Sequence, residues 1–240
     1  MKLDVSQLDY RAVNLAIHQT SEQQIELTGC IGQRFIAAGT AGLHIGIHGI
    51  AGNALGAYLN GSVIETFGNA QDAVGDTMNE GEIIVHGHIG DAAGYAMRGG
   101  RIFVKGNAGY RAGIHMKAYQ EKVPVMVIGG RTGSFLGEYQ AGGIIIVLGL
   151  HNDGKPIVSN FPNTGMHGGK VFLRSDCAGI HFPHQVHARP ANAESLEEIR
   201  PFVEEYCKHF GGDAASLLRD EFTLVTPDSG NPYRQMYVAN

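Results

Sequence analysis

A glycine pattern that recurs every 19 residues constrains the fold of this chain more than any other feature. After a first appearance as Gly49-x-x-Gly52-x-x-x-Gly56, it returns at Gly68 and Gly75, at Gly87, Gly90 and Gly94, at Gly106, Gly109 and Gly113 and, after a five-residue insertion, at Gly130, Gly133 and Gly137. A fixed period of this length is typical of a stack of similar structural units rather than a globule with one active centre.

Each repeat carries a short apolar run ahead of its first glycine, such as Glu82–His86 (EIIVH) and Arg101–Lys105 (RIFVK). Five β-favouring residues bounded by glycines predict one short strand per unit. A strand with a crossover helix needs about 30 residues, so a unit of 19 residues is too short for that motif. The repeat therefore predicts an all-β core in the form of a parallel β-solenoid with six or seven coils. We expect its glycines to lie at corners where φ is positive.

Three series of equivalent positions predict buried ladders, because equivalent residues of a solenoid lie about 4.8 Å apart. The first is Ile64, Ile83, Ile102, Met126, Ile145 and Val171; the second is Thr66, Val85, Val104, Ile128, Val147 and Leu173; the third is Leu59, Met78, Met97 and Met116. The strand position between the first two ladders is expected to be polar, yet after Glu65 it reads Ile84, Phe103, Val127, Ile146 and Phe172, which we call the outer stripe. A sheet that is apolar on both faces is normally covered. The cover is either the chain's own Phe202–Phe210 segment, which we expect, or a partner subunit.

The two ends of the chain lack the repeat. Leu8–Gln19 has Leu8, Ala12, Leu15 and Ala16 at helical spacing and predicts an amphipathic helix. Near the other end, Ser195 and Glu198 resemble a capping box. Pro201 is expected to begin a second helical segment, with Phe202, Val203, Tyr206, Cys207 and Phe210 on one face. The predicted division is a helical segment over 1–22, the solenoid over 23–176, and an extension over 177–240 whose last part, 226–240, is extended or loose.

Composition excludes several classes of function. The formal net charge is −5 and there is no run of Lys or Arg, which argues against a nucleic-acid partner. No apolar stretch has transmembrane length, and the N-terminus is too polar for a signal peptide. Three widely spaced cysteines, Cys30, Cys177 and Cys207, do not suggest a disulfide framework. We therefore expect a cytoplasmic protein.

Several motifs resemble functional sites, but each has a simpler interpretation. His181-x-x-His184-x-x-His187 could bind zinc, although solvated or packing histidines are the expected reading. Gly129–Gly133 resembles a dinucleotide loop, yet its glycines belong to the repeat. Cys30 is expected to be a small core residue, Ser134 a repeat position, and His44 and His48 outward strand positions. We predict no catalytic, cofactor-binding or metal-ligating residue in this chain.

The run Gly49–Gly87 (GIAGNALGAYLNGSVIETFGNAQDAVGDTMNEGEIIVHG) closely resembles the C-terminal GXGXG domain of the glutamate synthase large subunit. DYRAVNLAI (9–17), MRGGRIFVKGNAGYRAG (97–113) and YQAGGIIIVLGL (139–150) continue the match, which covers roughly residues 8–175. The resemblance implies a right-handed parallel β-helix, here in a free-standing form.

In glutamate synthase this domain holds no catalytic residue, so the resemblance implies a structural subunit in glutamate biosynthesis and nitrogen metabolism. Partners would supply the catalysis: a class II glutamine amidotransferase and a subunit with FMN and an iron–sulfur cluster. This chain has Met1-Lys2 where the amidotransferase has its N-terminal cysteine, and it lacks cluster-type cysteine spacing. A second copy of the chain is an alternative partner.

Two other functions stay open. The structural C subunit of formylmethanofuran dehydrogenase shares the same repeat, and gene neighbours would separate the two complexes. An autonomous β-helix hydrolase would need clustered carboxylates on one wall. The acidic residues here are scattered over different repeat positions, as Glu65, Asp72, Asp76, Glu80, Glu82 and Asp91 show.

Overall fold

The structure is a computed structural model that describes residues 1–151 and 153–228. Its strands are β1 (Lys2–Asp4), β2 (Gln24–Ile31), β3 (His44–Ile50), β4 (Asn60–Thr66), β5 (Glu80–Val85), β6 (Arg101–Val104), β7 (Val125–Ile128), β8 (Ala141–Val147), β9 (Gly168–Leu173), β10 (Val186–Pro190) and β11 (Thr223–Pro227). The helices are α1 (Tyr10–Gln19), α2 (Ala193–Phe210) and α3 (Ala214–Leu217).

These eleven strands form one largely parallel sheet. Strands β1 to β9 lie side by side in chain order, and each pairs in parallel with the next. At the downstream edge β11 pairs antiparallel with β9, and β10 pairs antiparallel with β11. The predicted tail over 226–240 enters β11 with Thr226 and Pro227, and beyond residue 228 it lies outside the described residues.

The register predicted from the glycine pattern is confirmed. Ile64 pairs with Ile83, Ile83 with Ile102, and Ile102 with Met126 across the insertion. Every residue of the three predicted ladders is buried, including Ile145 and the polar Thr66. Because neighbouring repeats place equivalent residues opposite each other, the ladders form one continuous core along the sheet.

A second line of pairing runs outside the strands. Parallel bridges join Ala51 to Ala70, Ala70 to Ile89, and Ile89 to Ala108, and the line continues to Thr132 and Val158. The first four of these residues each follow the first glycine of a repeat by two positions. Successive repeats therefore pair along two separate lines of the backbone.

The segment after each bridge contains left-handed backbone, as predicted for the third glycine of the pattern. Gly94 and Gly113 have φ angles of +68° and +73°, and Ala92, two residues before Gly94, has +54°. A left-handed conformation costs roughly 1–2 kcal/mol for an L-residue with a side chain. Hydrogen bonds to both neighbouring repeats hold it here, because Gly94 N–H donates to Val74 O and Ala92 N–H to Tyr110 O, each at 2.7 Å.

The first and second glycines of the pattern, such as Gly87 and Gly90, are required because atoms of the preceding repeat lie close to their Cα atoms. Oδ1 of Asn69 accepts a hydrogen bond from the backbone N–H of His88 at 2.8 Å, and Oδ1 of Asp72 does the same for Asp91 at 2.9 Å. A Cβ atom on Gly87 would collide with Oδ1 of Asn69, although φ of this glycine is not positive. The expectation that corner glycines serve positive φ is therefore wrong for Gly87, which is required by close approach.

Helix α1 forms as predicted but buries another face. Asp9 caps it by accepting a hydrogen bond from the N–H of Ala12 at 2.8 Å. The buried residues are Val13 and Ile17, whereas Leu15, predicted on the apolar face, is 56% exposed. The two β-branched residues fit the end of the sheet core, so packing rather than hydropathy alone selects the face.

Helix α2 corrects two predictions. It is one continuous helix with Pro201 inside, and its N-cap is Asn192, whose side chain accepts a hydrogen bond from the N–H of Ser195. Ser195 is therefore not the cap. Pro201 removes the donor that would pair with the carbonyl of Glu197, and both residues are exposed, so water can satisfy that carbonyl. The buried face of the helix outweighs the local cost.

The outer stripe is covered by the chain itself, as predicted. Phe103, Val127, Ile146 and Phe172 are buried in a second core with Ile199, Val203 and Tyr206 of α2 and with residues of α3 and β11. The predicted segment supplies part of this cover, since Val203 and Tyr206 are buried while Phe202, Cys207 and Phe210 are partly buried. The cover spans the strands from β5, whose stripe residue Ile84 is also buried, to β9, and it leaves the outer face of β2–β4 bare.

Candidate functional site

Helix α2 is held to the sheet by ion pairs along its acidic edge. The outward position at the start of the paired strand segments reads Glu82, Arg101, Val125, Ile144 and Lys170 from β5 to β9. Glu198 of α2 accepts hydrogen bonds from Nζ of Lys170 at 2.6 and 2.8 Å, and Glu205 accepts one from Nη1 of Arg101 at 2.5 Å. Two basic residues of the sheet thus pair with two glutamates of the helix.

At the upstream end of this row the pairing changes. Glu82 meets Glu205 and His209 of α2, and one potential ligand atom of each lies within 4.8 Å of the others. The three side chains, which we call the seam cluster, are mostly buried, with exposed fractions of 18% for Glu82, 23% for Glu205 and 21% for His209. Within the described residues no other group of three His, Cys, Asp or Glu side chains is arranged to hold a metal ion.

The electrostatics of the seam cluster favour protonation of Glu82. Burial, reinforced by the neighbouring Glu205 carboxylate, raises the pKa of Glu82 to about 7, and Arg101 offsets this only in part. Burial also lowers the pKa of His209, against the opposing effect of the nearby glutamates. Nε2 of His209 lies 3.2 Å from Oε1 of Glu82 but is buried without a hydrogen-bond partner in the described structure.

The bare outer face beside the seam cluster carries two more glutamate–histidine pairs. Nε2 of His48 lies 3.1 Å from Glu26, and Nε2 of His86 lies 2.7 Å from Glu65. The ring of Phe67 stacks between these two imidazoles, with centroid distances of 4.8 and 5.2 Å. A groove of about 160 Å³ runs along Glu26, Glu65 and Phe67. His44 and His48 are exposed outward strand positions, as predicted.

The histidines of the 181–187 loop do not converge. His181, His184 and His187 are all exposed, and they do not form a group with metal-ligand spacing. Nε2 of His187 instead lies 2.5 Å from Oδ1 of Asp228. The interpretation as solvated side chains fits this arrangement.

The glycine loop at 129–133 uses its backbone N–H groups within the stack. Gly129 donates to Val104 O at 2.7 Å and Gly130 to Gly106 O at 2.9 Å. Gly133 donates to the preceding repeat as well. These donors are therefore not free to bind phosphate, which agrees with their reading as part of the repeat.

The remaining candidates are also structural. Cys30 is buried in the main core, and burial raises the pKa of its thiol to about 11, opposite to the shift that activates a nucleophile. Oγ of Ser134 accepts a hydrogen bond from the N–H of Asn160 at 3.3 Å, which is a contact between repeats.

Comparison with known proteins decides the family. The model of the GXGXG motif family matches residues 11–228, nearly the whole chain. This chain belongs to the GXGXG motif family. That family is the one of the glutamate synthase GXGXG domain, so the resemblance seen in the sequence is confirmed.

A curated relative extends the comparison. The uncharacterized protein MJ1350 of Methanocaldococcus jannaschii is 44% identical to this chain over 248 aligned positions, which cover 98% of this chain and 95% of the relative. The similarity thus includes the segment with α2, beyond the glycine repeats. No helix in the described part of this GXGXG protein is long and apolar enough to cross a bilayer.

Sequence reasoning missed the seam cluster. Glu82 was seen only as one of several scattered acidic residues, and the repeat gives no information on where α2 docks. One local signal was present, because Glu205 and His209 are four residues apart and therefore share a helix face. Their partner on the sheet could not be identified from that spacing alone.

Proposed function

We propose that this chain is a non-catalytic structural subunit of a glutamate-synthase-like complex. A class II glutamine amidotransferase subunit and a subunit with FMN and an iron–sulfur cluster would carry the chemistry. The observation that supports this most is the GXGXG family match over residues 11–228, nearly the entire chain. The proposed location is the cytoplasm, and the proposed cofactors belong to the partners.

The proposed architecture is a right-handed parallel β-helix. Two lines of parallel pairing with the same order of repeats support it, one through β2–β9 and one through the bridges from Ala51 to Val158. The left-handed turn that recurs in every repeat provides a third region of contact between coils. We retain the proposed division into 1–22, 23–176 and 177–240, with the last segment covering one side of the coils.

A structural role is consistent with the chemistry of the candidate residues. Burial raises the pKa of all three thiols, Cys30, Cys177 and Cys207, so none has the lowered pKa of an activated nucleophile. The glycine N–H groups are used between repeats. A stack of coils held in this way is rigid along its axis and suits the alignment of two partner subunits.

Reconstitution tests this proposal. The chain is purified alone and together with a class II glutamine amidotransferase subunit and an FMN/iron–sulfur subunit from the same organism. We expect the chain alone to be colourless and to release no ammonia from glutamine. The three subunits together are expected to elute as one complex, and glutamine-dependent glutamate formation is expected to fall at least about tenfold when this chain is omitted.

Two results would contradict the proposal. One is ammonia release from glutamine, or flavin or cluster absorbance, in the isolated chain. The other is stable co-purification with a molybdopterin enzyme in place of the two expected subunits. In the latter case the chain would be a structural subunit of a different complex.

A further inference from the structure

The seam cluster is an exception in the way α2 is held to the sheet. At equivalent strand positions Lys170 and Arg101 present a positive charge to a glutamate of the helix. Glu82 occupies the next position of the same row and presents a carboxylate to Glu205 and His209. Two carboxylates facing each other in a mostly buried seam repel unless a cation or a proton lies between them.

The donor atoms of the seam cluster match those that bind a transition metal. Two carboxylates and one imidazole converge from a strand and a helix, with ligand atoms within 4.8 Å of one another. Nε2 of His209 is buried, lies 3.2 Å from Oε1 of Glu82 and has no hydrogen-bond partner among the described residues, so with the ring proton on Nδ1 its lone pair can bind an ion. Protein zinc sites commonly combine His nitrogen and carboxylate oxygen at about 2.0–2.2 Å from the ion, which small rotations of these side chains would allow.

We propose that Glu82, Glu205 and His209 bind one divalent transition-metal ion of the Zn²⁺ type, which fastens the end of α2 to β5. The imidazole disfavours Mg²⁺ and Ca²⁺, which prefer oxygen ligands, while the two carboxylates balance the charge of the ion. Arg101 stays hydrogen-bonded to Glu205 and orients that carboxylate as an outer partner of the site.

An ion can reach this position from solvent. A pocket of about 560 Å³ is lined by Glu82 and Arg101 on the sheet and by Phe202 on the helix. Water that enters this pocket can supply the fourth ligand of a tetrahedral site. The site fixes helix α2 and takes part in no reaction, so it is independent of the partners proposed above.

The test is metal binding by the full chain after treatment with a chelator and desalting. Calorimetric titration with Zn²⁺ is expected to show one tight site, and Co²⁺ is expected to give the visible absorption of a bound ion. Glu82→Gln and His209→Gln are each expected to weaken Zn²⁺ binding at least about tenfold. At the same Zn²⁺ concentration, Zn²⁺ should raise the melting temperature of the natural chain more than that of Glu82→Gln.

Two control variants distinguish this site from adventitious binding. Glu26→Gln removes a carboxylate from the exposed Glu26–His48 pair, and His184→Gln breaks the exposed histidine loop; both should retain the tight site. Circular dichroism of the metal-free variants checks the fold, and Glu205→Gln is a third ligand variant if one of the others fails to fold. Absence of a tight site in the natural chain would overturn the proposal. A tight site that survives Glu82→Gln and His209→Gln, or that is lost in His184→Gln, would overturn it as well.

Discussion

At the residue scale, the glycines of one repeat are not equivalent. Gly94 and Gly113 are required by a left-handed backbone, whereas Gly87 is required because a side chain of the preceding repeat occupies the place of a Cβ. Gly68 is also required by close approach, but to backbone rather than to a side chain, since the carbonyl oxygen of Gly49 lies 2.1 Å from the position that its Cβ would take. The sequence period predicts that these positions are small, but only the stacked structure separates the two causes.

We expect Gly68→Ala to lower the free energy of unfolding by about 2–3 kcal/mol, because the added methyl group meets the backbone of the neighbouring repeat. Gly39→Ala is the matched control, since Gly39 has a φ of +69° and no atom within 4 Å of its Cβ position. Its cost should be only the backbone strain, about 1 kcal/mol. Urea unfolding of both variants measures the difference. If both variants lose the same free energy of unfolding, close approach to the neighbouring repeat is not the reason that position 68 requires glycine.

At the element scale, strands β3–β9 were predictable and the docking of α2 was only partly so. Each of these strands is visible in the sequence as an apolar run, and its register follows from the repeat, since a slip of one residue would expose a buried ladder. Strands β1 and β2 were not predicted, and β1 lies inside the segment 1–22 that was predicted to be helical. The apolar outer stripe predicted that a cover exists. The antiparallel strands β10 and β11 carry no repeat and were not predicted. The prediction that a new helical segment begins at Pro201 was wrong, because burial of Val203 and Tyr206 compensates for the hydrogen bond that proline removes on the exposed side of α2.

Removal of the cover tests this element directly. We expect a chain that ends at Pro190 to bind a hydrophobic dye and to self-associate, because it lacks α2, α3 and β11 and exposes Phe103, Val127, Ile146 and Phe172. A chain that ends at Asp228 keeps the whole cover and should remain monodisperse without dye binding. Dye fluorescence and light scattering compare the two. A monodisperse, dye-free shorter chain would contradict the assignment of the cover.

At the scale of the whole molecule, one outer face has two unlike halves. Over β5–β9 it is buried under the C-terminal segment, whereas over β2–β4 it is bare and carries His48 and Phe67. His86, which stacks on Phe67, also contacts Phe210 of α2 and so lies at the border of the two halves. The sequence could predict neither the extent of the cover nor the seam, because contacts between the C-terminal helix and the early strands join segments that share no periodic pattern. The bare half is the surface that a partner can reach without moving the chain's own helix.

We therefore expect the proposed partner subunits to contact this bare half. Phe67 is 48% exposed, and Ile31, at the end of β2, is 74% exposed. Phe67→Asp should reduce assembly with the partners at least about tenfold, since it places a charge in an apolar contact, while the melting temperature of the isolated chain changes little. Tyr58→Asp alters another exposed aromatic residue, which is 58% exposed and follows the turn glycine Gly56, and should leave assembly intact. Co-elution of the subunits and a binding titration measure both variants; full assembly with Phe67→Asp would place the partners elsewhere on the molecule.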